Sequence, residues 1–159
     1  MIKIVAAIAA MAFALPANAS DEMGDRFCLA QNIYFESANQ SFAGRVAVAN
    51  VVLNRVEDTQ FPDTICGVVY QAEMEENWKG NLLPVLHRCQ FSWYCDGKGD
   101  LPTDSKTWME AFRLAGMVLA FKYEDITEGA LWYHSDSVEP YWSKQLSLVT
   151  TIDNHLFYK

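Results

Sequence analysis

Residues 42–56 read F-A-G-R-V-A-V-A-N-V-V-L-N-R-V, a run in which Phe, Val and Leu are spaced mainly by Ala and Gly. A segment this apolar has to be buried. Helical spacing puts Phe42, Val46, Ala49, Leu53 and Val56 on one stripe, with further valines beside it. The sequence therefore predicts a helix with little wet surface, around which the rest of a small domain must pack. Asn50 and Asn54, four residues apart, share one face of it. Upstream, Glu36 is the single acid between Asp25 and Glu57. An apolar neighbourhood desolvates a carboxyl, raises its pKa and suits it to deliver a proton near neutrality. A glutamate at the end of one helix, facing two amides on a buried one, reads as a polar floor under a cleft. The ordinary alternative is a solvated acid at a helix end.

Polar punctuation sets the remaining elements. A first helix is expected from about Asp25 to Phe35, with Phe27, Ala30, Gln31 and Tyr34 on one face, and Ser37 to Gln40 reads as a turn. Ser41 stands where an N-cap for the apolar helix belongs. Pro62 and Asp63 open a short helix whose apolar side is Ile65, Val68 and Val69. From Glu73 to Pro84 the pattern breaks into acids, Trp78, Lys79-Gly80 and a proline, which reads as a surface loop suited to wall a groove. In Cys89 to Gly99, Phe91 and Trp93 alternate with Ser92 and Tyr94 before Asp96-Gly97, the pattern of a strand entering a hairpin or tight loop. Pro102-Thr103-Asp104 starts another helix, which turns Trp108, Ala111, Phe112, Ala115, Val118 and Leu119 inward and ends near Tyr123. A short strand around Leu131 to His134, a brief helix at Pro140 to Leu146 and a closing segment through His155 to Tyr158 complete the chain. The class is α+β, mainly helical, with a short β-hairpin region and a single domain.

Two features bear on the compartment. Lys3, the apolar run Ile4 to Leu15 and the Ala17-Asn18-Ala19 end have the form of a secretory signal peptide over residues 1–19, with 20–159 as the folded domain. That run is short for a membrane span and no later one approaches it, so stable membrane insertion is not expected, an uncleaved anchor being the alternative. Cys28, Cys66, Cys89 and Cys95 all lie beyond it, and an even number in an exported chain argues for two disulfides over a thiolate nucleophile. Four cysteines permit three connectivities. Cys89–Cys95 would close a short loop around Gln90 to Tyr94, leaving Cys28–Cys66 to tie the first helix to the short one, and the other pairings stay open. The formal charge of −8 becomes −9 without Lys3, so nucleic acid is not an expected partner. The expectation is an exported monomer of the periplasm or cell exterior, with no cofactor. His87, His134 and His155 show no metal-ligand spacing.

The blocks Y-F-E-S, G-R-V-A-V-A-N-V-V-L-N-R-V, F-P-D-T-I-C-G-V-V-Y-Q, Q-F-S-W-Y-C-D-G, W-Y-H-S, P-Y-W-S and H-L-F-Y follow one another in this order. Together they resemble the SleB/CwlJ family of cell wall hydrolases, of the spore-cortex-lytic type, over nearly all of residues 20–159. The resemblance implies a lysozyme/lytic-transglycosylase-like fold and cleavage of peptidoglycan glycan strands between N-acetylmuramic acid and N-acetylglucosamine. On this reading Glu36 is catalytic. Asn50, Asn54, Gln90 and Ser92 are candidates to hydrogen-bond N-acetyl groups or hydroxyls, and Trp93 to stack on a sugar face. Tyr133 and His134 stand in one of the resembling blocks and are candidates to bind substrate at the same site. Each has an ordinary reading as well: a helix-face amide, a side chain satisfying nearby backbone, or a core aromatic. Glycoside hydrolysis commonly uses two carboxyls, whereas the first block offers one. The lytic transglycosylase route, with which the family is associated, needs only one, because the sugar's own 6-hydroxyl replaces water and closes a 1,6-anhydro ring. Asp63, Asp96 and Asp136 are the acids that would supply a second carboxyl if they folded near Glu36. The rival expectations are an N-acetylmuramoyl-L-alanine amidase of the zinc type and a non-catalytic wall-binding module of the same fold.

Overall fold

The computed structural model describes residues 18–121 and 123–159; the leader expected over 1–19 lies outside them but for its last two positions. The elements in order are α1 (Asn18–Ser37), α2 (Phe42–Glu57), α3 (Ile65–Val69), β1 (Ala72–Glu76), β2 (Leu82–Cys89), a 3-10 turn at Ser92–Cys95, α4 (Ser105–Phe121), β3 (Trp132–Ser135), a second 3-10 turn at Tyr141–Gln145, β4 (Leu148–Ile152) and β5 (His155–Tyr158). Among the described residues no helix is long and apolar enough to cross a membrane.

The apolar run forms α2, and the fold is built on both its flanks. Ser41 caps it, its hydroxyl accepting from the Gly44 amide at 3.2 Å. On one side Val46, Ala49 and Val52 pack with Leu29 and Ile33 of α1, Val68 and Val69 of α3, and Leu114, Ala115 and Val118 of α4. On the other, Ala47 and Val51 meet Ala130 and Phe157 beneath the larger sheet. Each such Val, Leu or Ile contributes about 1.5–3 kcal/mol of burial. Because both flanks are covered, the buried arc is wider than the expected stripe and rotated from it. Phe42 lies 52% exposed, and Leu53 and Val56 only border the core. In α1 the buried positions are Cys28 to Ile33 and Ser37, while Phe27 turns outward onto Trp108, with ring centroids 5.4 Å apart.

Two expectations are corrected. Glu73 to Pro84 is not a loop: β1 and β2 form an antiparallel hairpin, turned at Asn77–Asn81 with Gly80 at φ +80°. Nearly all of its residues are exposed or only partly covered, so neither face needs an apolar row and the sequence carries no alternation to read. Within Cys89 to Gly99, where a strand entering a hairpin or tight loop is expected, the strand ends at Cys89 and the chain tightens into the 3-10 turn Ser92–Cys95, in which the Tyr94 amide donates to the Phe91 carbonyl. Phe91 and Trp93 are both buried, and a tight turn with two inward side chains imitates strand periodicity. The larger sheet has the order β3-β5-β4, all antiparallel, with Tyr133 opposite Phe157 and Ser135 opposite His155. The disulfides join Cys28 to Cys66, between α1 and α3, and Cys89 to Cys95, across the loop that follows β2.

Candidate active site

Glu36 occupies the last turn of α1, one residue before the helix ends at Ser37. Ser37 is fully buried and its hydroxyl donates to the Ile33 carbonyl at 2.9 Å, which fixes that turn. Across from it, β3 presents Tyr133, whose hydroxyl donates to Glu36 Oε2 at 2.9 Å. The Tyr133 ring is held edge-on by His155 at 5.2 Å and tilted on Phe157 at 5.5 Å. Arg55 closes the group from the last turn of α2. Its Nε donates to the Leu131 carbonyl at 2.7 Å, and its guanidinium lies 5.0 Å from the Phe61 ring and 5.1 Å from the Phe91 ring.

The electrostatics follow from burial. Desolvation pushes the Glu36 carboxyl above the ordinary carboxylate range; the Tyr133 hydrogen bond and the Arg55 charge oppose this without cancelling it. The C-terminal end of α1 adds carbonyl dipoles of the same sign as a carboxylate, a further bias toward the protonated form. Burial lifts the Tyr133 hydroxyl well above its usual value, so it is a neutral donor. Burial likewise lowers His155, leaving a neutral imidazole near pH 7. A carboxyl biased by burial toward its protonated form is suited to give a proton away.

Two hollows meet at Glu36. One, about 260 Å³, is lined by Glu36, Arg55, Gln90, Phe91, Ser92, Tyr133, His134, Ser135, Val138 and His155. The other, about 370 Å³, is lined by Phe35, Glu36, Ser92, Trp93, Asp96, Lys98 and Gly99. Glu36 and Ser92 border both, so the carboxyl stands between two recesses. The Cys89–Cys95 bridge closes the loop that supplies Gln90 and Ser92.

Of the residues singled out from the sequence, Gln90, Ser92, Tyr133 and His134 therefore gather with Glu36. His134 is braced, Nδ1 donating to the Ser135 carbonyl at 2.8 Å and Nε2 paired with the Tyr158 hydroxyl at 2.9 Å. Trp93 borders the second hollow but is 7% exposed, stacks on Phe35 at 4.7 Å and donates Nε1–H to Asn32 at 3.1 Å. A ring face covered by Phe35 is not open to a sugar, so Trp93 is corrected to a core residue that sets the Phe35 wall.

Asn50 and Asn54 share a face as expected, but that face turns away from Glu36. They line a separate hollow of about 380 Å³ with Asp63, Leu119 and Asp125. Asn54 Nδ2 is committed to Asp125 at 3.1 Å, Thr127 at 3.3 Å and the Ala130 carbonyl at 3.1 Å. It is a brace for the 125–130 segment. Of the three acids weighed as a second carboxyl, Asp63 is in that separate hollow and Asp96 alone shares a recess with Glu36. Asp96 is paired with Lys98 at 3.1 Å, and the Lys98 amide and ammonium hold it below the usual carboxylate range.

Sequence reasoning passed over Arg55 and His155 as parts of the site. An arginine on a helix with almost no wet side was itself a signal, since such a charge has to be buried with purpose. His155, read only as a possible metal ligand, gave no local sign of its place opposite Ser135.

A family profile described as Cell Wall Hydrolase matches residues 39–158, beginning three residues after Glu36. The spore cortex-lytic enzyme of Halalkalibacterium halodurans is 40% identical over 57 residues, 36% of this chain and 17% of that protein. The enzyme of the same description from Bacillus subtilis (strain 168) is 40% identical over 43 residues, 27% of this chain and 14% of its own length. The match thus spans under a fifth of those relatives. Among solved structures, the catalytic domain of the Bacillus cereus SleB protein is similar with a TM-score of 0.59 and 26% identity, covering 85% of this chain and 89% of that one. The catalytic domain of the germination-specific lytic transglycosylase SleB from Bacillus anthracis gives a TM-score of 0.62 at 27% identity, over 91% and 100%.

Proposed function

The chain belongs to the cell wall hydrolase family, and we propose that it cleaves peptidoglycan glycan strands between N-acetylmuramic acid and N-acetylglucosamine as a lytic transglycosylase, with Glu36 as its acid and base. The observation that carries this reading is the placement of one buried, protonation-prone carboxyl at the junction of two recesses, held by Tyr133. A polymer bound across both recesses presents an internal bond to that carboxyl. Glu36 gives its proton to the glycosidic oxygen as the bond to C1 breaks, and the electron pair leaves with that oxygen. The carboxylate then accepts the proton of the muramic acid C6 hydroxyl while O6 bonds to C1. No water is consumed, so no second carboxylate is needed to direct one. The likeness to a solved lytic transglycosylase domain supports the same route.

Asp96 gives a specific reason to consider the hydrolytic outcome, because it borders one recess with Glu36. Mass spectrometry of wall digested by the purified protein decides between them. The anhydro route yields muropeptides ending in 1,6-anhydro-N-acetylmuramic acid, one water lighter than hydrolysed ends. Reducing muramic acid ends would assign a muramidase. Released peptides with intact glycan would assign an amidase, and no release at all a binding module; either result would remove the glycosidic reading.

A further inference from the structure

Arg55 is 4% exposed, and among the described residues no carboxylate lies within ion-pair distance of it. A guanidinium buried without a direct partner is costly, with several kcal/mol of desolvation to offset. The Leu131 carbonyl takes only one of the five guanidinium donors. The structure nevertheless fixes its position closely. One donor is anchored on the Leu131 carbonyl, the plane lies near two aromatic rings, and Nη1 is buried with no hydrogen-bond partner. The same side chain borders the recess that holds Glu36.

We propose, on the basis of the glycan-cleaving reading above, that Arg55 is the fixed counter-charge of Glu36, a positioning residue that bears the negative charge appearing on the carboxyl when its proton passes to the leaving sugar. The carboxylate exists only between that proton transfer and the return of a proton from the C6 hydroxyl; Arg55 stays protonated throughout. Tyr133, a neutral donor, orients the carboxyl but carries no compensating charge. The other groups facing Glu36 do not supply one either. From β5, His155 is neutral. From the loop after the 3-10 turn, Lys98 is spent on Asp96. From β3, His134 directs both ring nitrogens at Ser135 and Tyr158 rather than at Glu36. That leaves Arg55, from α2, as the unpaired cation among the described residues that border the two recesses.

The test reads Glu36 directly and needs no substrate. The Glu36 carboxyl is titrated by carbon-13 NMR in the wild-type protein, in Arg55→Gln, Arg55→Met and Arg55→Lys, and in Arg88→Gln as a control at an exposed arginine. Trimethylamine N-oxide is added wherever a variant's melting requires it. Both neutral variants should titrate about one pH unit or more above wild type, Arg55→Lys should recover most of that displacement, and Arg88→Gln should show none. The alkaline limb of kcat/KM on isolated peptidoglycan should move upward in the same order, with kcat lower on the order of a hundred-fold in the neutral variants. Folded neutral variants in which Glu36 titrates as in wild type, with only the melting temperature lowered, would overturn the proposal and leave Arg55 a packing residue. A displaced titration in a protein whose wild type releases no glycan fragments would instead overturn the glycan-cleaving reading while the coupling of the two residues stood.

Discussion

Glu36→Gln separates the two effects of the carboxyl, on catalysis and on stability. The amide keeps the shape and can still accept from Tyr133, but it has no proton to give. Activity on isolated peptidoglycan should fall by about a hundred- to ten-thousand-fold, the usual weight of a general acid/base, with the circular dichroism spectrum unchanged. Stability should move the other way. A carboxyl whose pKa is raised on folding favours the folded state below its unfolded pKa, and that contribution is lost as pH rises through the folded value. Glu36→Gln should therefore melt above wild type at neutral and alkaline pH, and the gap should close on acidification below the ordinary glutamate range. A constant gap would mean the carboxyl is not perturbed. Tyr133→Phe removes the hydrogen bond that opposes the upward shift, so the alkaline limb of kcat/KM should rise in pH. An unmoved limb would show that the hydroxyl only fills space.

At the scale of elements, α2 presents different chemistry at neighbouring positions. Arg55 reaches the recess of Glu36, while Asn54, one residue earlier, turns to the 125–130 segment and holds it with one amide. Asn54→Ala leaves the buried Thr127 and its neighbours short of a donor, at a cost of about 1–3 kcal/mol. Its urea midpoint should fall while kcat changes little. A large loss of kcat at unchanged stability would return Asn54 to the catalytic side. At the other end of α2, Gly44 permits the β4–β5 turn to dock. Asp153, at φ +51°, accepts the Ser41 amide at 2.9 Å. A methyl group on Gly44 would run into the Asp153 carboxylate and lie 2.9 Å from Gln40 Cβ. Gly44→Ala should cost about 1–3 kcal/mol by overpacking, read in the same urea titration.

Over the whole molecule, the Cys28–Cys66 bridge ties α1 to α3 across 38 residues, and Cys89–Cys95 staples the loop that borders both recesses. Denatured, unreduced protein should show no reactive thiol, and losing each bridge should cost about 2–5 kcal/mol; four reactive thiols would remove both bridges from the account. Local pattern alone specified α2 as the central helix, its Ser41 cap, the existence of a short helix after Pro62 and of a longer one after Pro102, the α+β class and the isolation of Glu36; it put the start of the short helix at Pro62-Asp63, whereas Thr64 caps it and it runs from Ile65. Those follow from local composition and spacing, which act over a few residues. It did not determine the β1–β2 hairpin, because a hairpin wet on both faces needs no apolar row, nor the turn at Ser92–Cys95, because two inward side chains two apart suit a strand and a tight turn alike. The membership of the site was decided by tertiary structure. Asn50, Asn54 and Arg55 are neighbours on one helix, and only the packing of α1 and of the sheet fixes which flank faces the last turn of α1. The same packing brings Tyr133 from β3 to Glu36 across 97 residues of chain and sets Arg55 on the Leu131 carbonyl beside it, so the burial of the Glu36 carboxyl and the partners that temper it come from elements that no local pattern links to it.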